Sequence, residues 1–414
     1  MRWMRLLSLM RYSAGNVLMG KMPRLILTDS PAGFYMPPRS LHVFTALAGL
    51  CAATAWSQPA PPAAGLSWLH GFQDWVIACD NLRSCEAQGY QAEDSHDLPV
   101  MLRLQREAGP DAPVRLSLAF GSISAESEQE PPQPRAGKAL ALSVGSLKLS
   151  LMVPAKSAPG QEVAFSPEQI RSLLPALRGA DALEVRQGAL AWRISLKGAN
   201  AALLKMDDLQ GRIGTPGALL RPGTKPEASV PPAPALPVIA AQRVPAQAKA
   251  DEALRAGLYQ AVRALPGATE TCPRLTEDAG AASGEVWRLP SGKVLVMFDC
   301  WMAAYNTGSG LWQANAKPPY APQEVRFVSL PEEGSRRGQW DWFNQPSGLT
   351  LERGPDGVLQ AHSAAKARGI GDCWSNNDWV WNGKFFELSA ASASACRLFE
   401  MGGALQTLWR ASVR

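Results

Sequence analysis

A chain of 414 residues is long enough for two or three hydrophobic cores. Its formal charge of +5 is no argument for a nucleic-acid binder, because six basic residues and one acid fall in the first 57 positions and the remainder carries 35 of each. A balanced body of this kind lacks the concentrated basic face that polyanion binding needs.

Residues 1–35 read as an extension upstream of the true start. From Met36, the run Met-Pro-Pro-Arg-Ser-Leu-His-Val-Phe-Thr-Ala-Leu-Ala-Gly-Leu-Cys-Ala-Ala-Thr-Ala-Trp-Ser has a basic start, an apolar centre and a small-residue end. That is the pattern of a secretory signal peptide over residues 36–57. The apolar stretch is too short to span a bilayer comfortably and a Pro-rich polar stretch follows, so no transmembrane segment is expected after cleavage. Cys51 ends Leu-Ala-Gly-Leu-Cys, but a lipobox wants a small residue where Leu50 stands.

The first domain is expected over residues 66–213. Phe72–Asn81 reads as one strand with Trp75, Ile77 and Cys79 on one face, and the turn Asp80–Ser84 returns Cys85 beside Cys79. Glu86–Gln91, Val100–Gln105 and Val114–Phe120 continue as strands, the last two alternating as half-buried strands do. After an acidic loop over Glu126–Pro134, strands resume at Leu140–Leu142 and Leu147–Val153 around Gly145. Ser166-Pro-Glu-Gln is a helix start with serine as N-cap and Gln169 completing a capping box, and Ile170, Leu173, Leu174 and Leu177 form its apolar stripe. A hairpin over Leu183–Leu196 turns at Gln187-Gly188, and Asn200 is expected to cap a short helix over Ala201–Leu209.

Residues 214–249 shift to proline and alanine, with too few periodic apolar positions for a core, and read as a semi-rigid linker. The second domain, residues 250–414, opens with a helix over Ala250–Leu265. Strands follow at Glu285–Leu289, Lys293–Cys300, Ser309–Ala314, Glu324–Leu330, Leu349–Arg353 and Gly357–His362, with a closing strand near Leu405–Arg410. Asp378–Trp381 and Lys384–Leu388 form a hairpin across Asn382-Gly383, a pair that tolerates positive φ. The fold class expected is α+β and mostly β, with a sandwich-like first domain.

Six cysteines remain after cleavage, an even number that implies disulfides in an exported chain. The six allow fifteen connectivities, and the linker separates the first two from the other four. The expected bridges are Cys79–Cys85, Cys272–Cys300 and Cys373–Cys396. No Cys-x-x-Cys spacing supports zinc, so no metal and no cofactor is expected.

Chemistry is sparse. His70, His96 and His362 stand in no recognisable triad motif, and bridged cysteines leave no thiolate. The carboxylate candidates are Asp341 between Trp340 and Trp342, Glu332-Glu333, and Asp372 with Asp378. A Trp-Asp-Trp strand more simply holds two core indoles and one outward carboxylate. Asp372, Asn376, Asn377 and Asp378 offer oxygens for calcium, but at no ligand spacing. Nine of the fourteen tryptophans lie in the second domain. Trp379 and Trp381 share a core face, whereas Trp301 and Trp374 each follow a half-cystine and are the candidates for an exposed platform, with Tyr305, Asn306 and Asp341. Asn306 sits in the glycine-rich loop Ala303–Gly310, where it suits a wide turn.

Two sets of residues carry a resemblance. The opening Asp74-Trp75-Val76-x-x-Cys79, Cys85 and the Trp192-to-Leu203 stretch look like the invasion-associated locus B family of exported β-rich bacterial proteins. Over nearly the whole body, the six cysteines, Cys300-Trp-Met-Ala-Ala-Tyr-Asn306 and Gly371-Asp-Cys … Trp-Val-Trp-Asn-Gly resemble the domain-of-unknown-function 1176 family. The resemblance implies export, disulfides and a Gram-negative origin, and brings no known reaction. The expectation is a non-enzymatic periplasmic or secreted binding protein that engages an envelope glycan or protein through aromatic side chains. The alternatives are a cell-wall glycan hydrolase using Asp341 and a purely structural or assembly factor.

Overall fold

The structure, a computed structural model, describes residues 68–123, 129–156, 162–277, 284–330 and 341–414. The leader over 1–57, Trp340 and Glu332-Glu333 lie outside the described residues. The N-terminal half runs β1 (Trp68–Phe72), β2 (Trp75–Cys79), β3 (Cys85–Tyr90), β4 (Val100–Arg106), β5 (Val114–Phe120), β6 (Ala139–Val144), β7 (Leu147–Met152), β8 (Val163–Ala164), α1 (Pro167–Leu177), β9 (Ala182–Gln187), β10 (Leu190–Ser195) and α2 (Ala199–Leu209). A six-stranded sheet, β1-β2-β3-β4-β5-β8, and a four-stranded sheet, β10-β9-β6-β7, share one core with α1 and α2. The alternation in β4 explains it: Val100, Leu102 and Leu104 enter this core, while Met101, Arg103 and Gln105 take the other face.

Two details differ from the sequence reading. Phe72–Asn81 is not one strand, because Gln73 at φ 52° turns the chain and Phe72 pairs with Trp75. The cap of α2 is Gly198 rather than Asn200. Gly198 adopts φ 92° and a Cβ there would sit 1.8 Å from the Phe72 carbonyl oxygen, so only glycine fits. Asn200 instead donates to the Arg178 carbonyl at 3.0 Å. The capping box of α1 forms as expected, with Ser166 Oγ accepting from Gln169 N–H at 3.3 Å and Gln169 Oε1 accepting from Ser166 N–H at 2.8 Å. Ser166→Ala should lower stability by about 1 kcal/mol, read from the shift of the urea midpoint at constant slope.

The Pro/Ala-rich segment is attached along its length. Arg212, fully buried, bonds Glu227 at 3.0 Å and Gln210 at 2.9 Å, and Asp207 accepts the backbone N–H groups of Leu219 and Leu220 at 3.0 and 3.1 Å. Burial pushes the Asp207 carboxyl up despite those donors. Val230, Ile239 and Val244 are buried further on.

The C-terminal half runs β11 (Val238–Ile239), α3 (Lys249–Glu252), α4 (Arg255–Arg263), α5 (Ala268–Thr271), β12 (Glu285–Arg288), β13 (Lys293–Met302), β14 (Thr307–Asn315), β15 (Gln323–Glu324), β16 (Phe327–Ser329), β17 (Asp341–Phe343), β18 (Thr350–Arg353), β19 (Leu359–Lys366), β20 (Trp374–Trp381), β21 (Phe386–Ala393), β22 (Gln406–Arg410) and β23 (Ser412–Val413). The expected helix over Ala250–Leu265 is broken between α3 and α4. Asp251 in α3 is buried, accepts Ala248 N–H at 3.0 Å and pairs with Arg288 of β12, a tertiary tie that ends the first turn. Sheet β12-β13-β14-β15 lies between two cores: α4 covers Val294, Val296, Phe298 and Trp312, and the larger sheet covers Leu295, Met297 and Leu311. In that larger sheet, β17-β16-β21-β20-β19-β18, strand β21 also pairs with β22. The Asn382-Gly383 hairpin forms, with the second strand starting at Phe386 because Asn382 Oδ1 accepts Lys384 and Phe385 N–H and stretches the loop to four residues.

All three expected disulfides are present. Beyond Cys396, residues 397–405 form a strap across the outer face of the N-terminal six-stranded sheet. Phe399 is buried against Tyr90, ring centroids 5.8 Å apart and edge-to-face, and its carbonyl accepts Ser122 N–H at 2.8 Å. Gly121 makes that approach possible, since a Cβ there would sit 2.4 Å from the Phe399 oxygen. Arg397 reaches Asp74 at 3.8 Å and Glu93 at 3.4 Å. Gln88 donates to the Ala404 carbonyl at 3.2 Å.

Candidate functional site

Three loops meet at one end of the C-terminal half. The β13–β14 loop, which follows Met302 at the end of β13, holds Tyr305 and Asn306; the β19–β20 loop holds Arg368, Ile370 and Asp372; the strap holds Met401. Asn306 locks the first loop to the second, donating to the Lys366 carbonyl at 2.9 Å and accepting Lys366 N–H at 3.0 Å. Tyr305 lies over Gly369, where a Cβ would meet its ring at 3.5 Å. The strap closes on the same loop, with Gly402 N–H bonded to the Gly371 carbonyl at 2.9 Å, and a Cβ on Gly371 would lie 3.4 Å from Met401 Cε. Exposed Tyr305 (44%) and Met401 (62%) therefore border the Gly369–Gly371 loop that carries exposed Ile370 (47%), an apolar surface built from segments nearly a hundred residues apart in sequence, and Met302 (67% exposed) ends β13 just before Tyr305.

Asp372 anchors this surface from below. It is fully buried, takes a two-point ion pair from Arg368 (Nε to Oδ1 2.6 Å) and accepts Leu398 N–H at 2.7 Å. Burial works to raise its carboxyl, but the Arg368 hydrogen bond, the Leu398 N–H and the guanidinium charge outweigh it and hold the group below the ordinary carboxylate range. The same contact raises Arg368.

The two candidate tryptophans are supports more than platforms. Trp301 is half-buried and its indole rests on Gly308, where a Cβ would be 2.0 Å from the ring. Trp374 is half-buried, spends its indole N–H on the Gly371 carbonyl at 2.9 Å and carries the Lys366 ammonium 5.3 Å from its ring centroid. Asp341 pairs through its backbone with Ser329 on the outermost strand of the large sheet, remote in strand order from β20; its side chain lies outside the described residues. Asp372 and Asp378 do not form a carboxylate pair. Asp372 belongs to Arg368, and Asp378 bonds His362 Nδ1 at 2.8 Å across the open face of β19 and β20, with Thr350 opposite His362 in the same row. Asn376 shares that outer face and Asn377 points the other way, so the four oxygen donors considered for calcium are not gathered.

A second concavity, a shallow hollow of about 120 Å³ open to solvent, lies beside the Cys79–Cys85 bridge. Its charges are matched internally, Arg410 with Asp80 at 2.5 Å and Arg115 with Glu107 at 3.1 Å. Burial pushes the Asp80 carboxyl up against the pull of Arg410.

The family model described as "Protein of unknown function (DUF1176)" matches residues 69–412, across both halves and all three bridges. The chain belongs to the DUF1176 family. It is similar to the uncharacterized protein YpfG of Escherichia coli (strain K12), with 28% identity over 360 residues, covering 86% of this chain and 94% of YpfG. No solved structure matches. The invasion-associated locus B resemblance of the N-terminal half finds no support in these comparisons. Among the described residues of this DUF1176 protein, no helix is long and apolar enough to cross a membrane.

Met302, Ile370 and Met401 were not legible as site residues from aromatic density. Their signal in the DUF1176 sequence is a lone apolar residue in a glycine-bearing loop, Gly-Ile-Gly at 369–371 and Met-Gly-Gly at 401–403.

Proposed function

We propose that this is an exported, non-enzymatic binding protein whose three-loop surface docks another envelope protein. The leader pattern and the three disulfides support export to the periplasm. The observation that carries the docking reading is that exposed Tyr305 and Met401 close on the loop carrying exposed Ile370, held there by Asn306 and Asp372. Contiguous exposed apolar side chains mark interaction sites, and methionine adapts to a partner's relief.

Protein is favoured over glycan. Sugar recognition uses an open aromatic face with polar groups free to meet hydroxyls, whereas Trp374 has its N–H and one face engaged, and the exposed side chains are mainly aliphatic or thioether. Lys366 and Arg368 give the rim a basic character that buried Asp372 only partly offsets, so the partner is expected to carry an apolar patch bordered by acids. Chemical cross-linking in envelope fractions, comparing wild type with Tyr305→Asp and Met401→Asp, tests this. The expected result is one cross-linked protein lost at least tenfold in both variants and kept in Met152→Asp, an exposed change on β7. An identical cross-linked set in all four proteins would refute the reading.

A further inference from the structure

The three disulfides differ in access. Cys272, Cys300 and Cys373 are fully buried, and Cys79 and Cys85 are 2% and 3% exposed, but Cys396 is only half-buried. They differ in mechanical position as well. Cys79 and Cys85 face each other within the β2–β3 ladder, which the bridge merely reinforces, and Cys272–Cys300 is enclosed in the core beneath α4. Cys373–Cys396 closes the open end of the β20–β21 hairpin, and Cys396 is the residue immediately before the strap. Its partner Cys373 follows Asp372, the carboxylate that also holds Leu398 of the strap. The bridge therefore fixes the point where the strap departs from the loop that carries Ile370.

We propose that Cys373–Cys396 is a site of thiol–disulfide exchange with a dithiol oxidoreductase, and that its reduction loosens the strap and takes apart the three-loop surface. The gating of docking rests on the function proposed above; the exchange and the loosening do not. A thiolate of the dithiol attacks Cys396 Sγ, and the Cys373 sulfur leaves with the bonding pair and takes a proton from solvent. The second thiol of the reductant then displaces Cys396 from the mixed disulfide. Two electrons pass to this protein, which gains two thiols, and the dithiol becomes a disulfide.

After reduction the hairpin persists, because Ser394 N–H still bonds the Trp374 carbonyl at 2.9 Å. The strap is then held by non-covalent contacts alone, those of Arg397, Leu398, Phe399, Gly402 and Ala404. Met401 rides on the strap while Ile370 and Tyr305 stay with the other loops, so loosening separates them.

The full chain is exposed under native conditions to limiting dithiothreitol, free thiols are trapped with iodoacetamide, and labelled sites are mapped by mass spectrometry. Cys373 and Cys396 should label at least tenfold faster than the other four cysteines, and equal labelling would overturn the exchange site. Amide exchange over 397–405 should accelerate at least tenfold after this reduction and in the Cys373→Ser/Cys396→Ser variant. Unchanged exchange in the reduced wild type would overturn the loosening, whatever the variant does. Cross-linking separates the two proposals: if Tyr305→Asp abolishes capture and reduction leaves it within twofold, gating falls and docking stands. If Tyr305→Asp leaves capture intact, docking falls, and labelling and amide exchange still decide the rest.

Discussion

Asp372→Ala is expected to cost about 2–3 kcal/mol of unfolding free energy, less than for a wholly buried ion pair because Arg368 is 38% exposed and water screens it once its partner is gone. The carboxylate is fully enclosed and serves Arg368 and the Leu398 N–H together, so its loss orphans a cation and a backbone donor at once. Urea unfolding at neutral pH measures it. The pH dependence follows from the sign of the shift: the folded carboxyl titrates below its unfolded value of about 3.9. Its stabilisation is therefore fully present above that value and fades as pH falls through the folded pKa. Wild type and Asp372→Ala should differ most above pH 5 and draw together only below the unfolded value, as pH falls through the folded pKa. A constant difference across that range would show that Asp372 acts through packing and not through its charge. Because the Leu398 N–H leads into the strap, the variant should also lose protection over 397–405.

Trp379→Ala should be more damaging, about 3–5 kcal/mol for emptying a large aromatic site. The indole is fully buried where β16, β17 and β20 meet, 5.1 Å from the Phe327 ring and 5.6 Å from Phe343, and its N–H donates to the Val328 carbonyl at 2.6 Å. Trp379→Phe separates the two contributions. It keeps much of the volume and leaves the Val328 carbonyl unpaired, so it should cost about 1–3 kcal/mol. Equal losses in both variants, read from denaturant midpoints, would show that the hydrogen bond and not the volume dominates at this position.

Local patterns carried far in this chain because they are enforced by short-range sterics and by burial of alternate side chains. The period-two runs of β4 and β5, the Ser166 capping box and the Asn-Gly turn each depend on residues a few positions apart. The cysteine pairs are more distant, and they were legible because a Pro/Ala segment divides them by sequence. The α3–α4 break escaped for the opposite reason: Asp251 is a good helix residue until Arg288, 37 positions away, claims its carboxylate. Gly198 rather than Asn200 caps α2 because Phe72 crosses there, a contact with no local signature. Glu324–Leu330 reads as one strand, yet β15 and β16 serve two different sheets.

The candidate site divides in the same way. Aromatic enrichment pointed to the loops at Trp301, Tyr305, Asn306 and Trp374, which folding brings side by side, but composition cannot distinguish a presented ring from a supporting one. Sequence alone determined the mostly β, disulfide-braced character of this protein, since alternation and cysteine count are properties of the chain itself. Only the tertiary structure decided which loops share a surface, that Asp372 belongs to Arg368 and Asp378 to His362, and that the strap bridges the two halves. Those choices depend on distances closed by folding, between residues whose separation along the chain sets no preference for one partner over another.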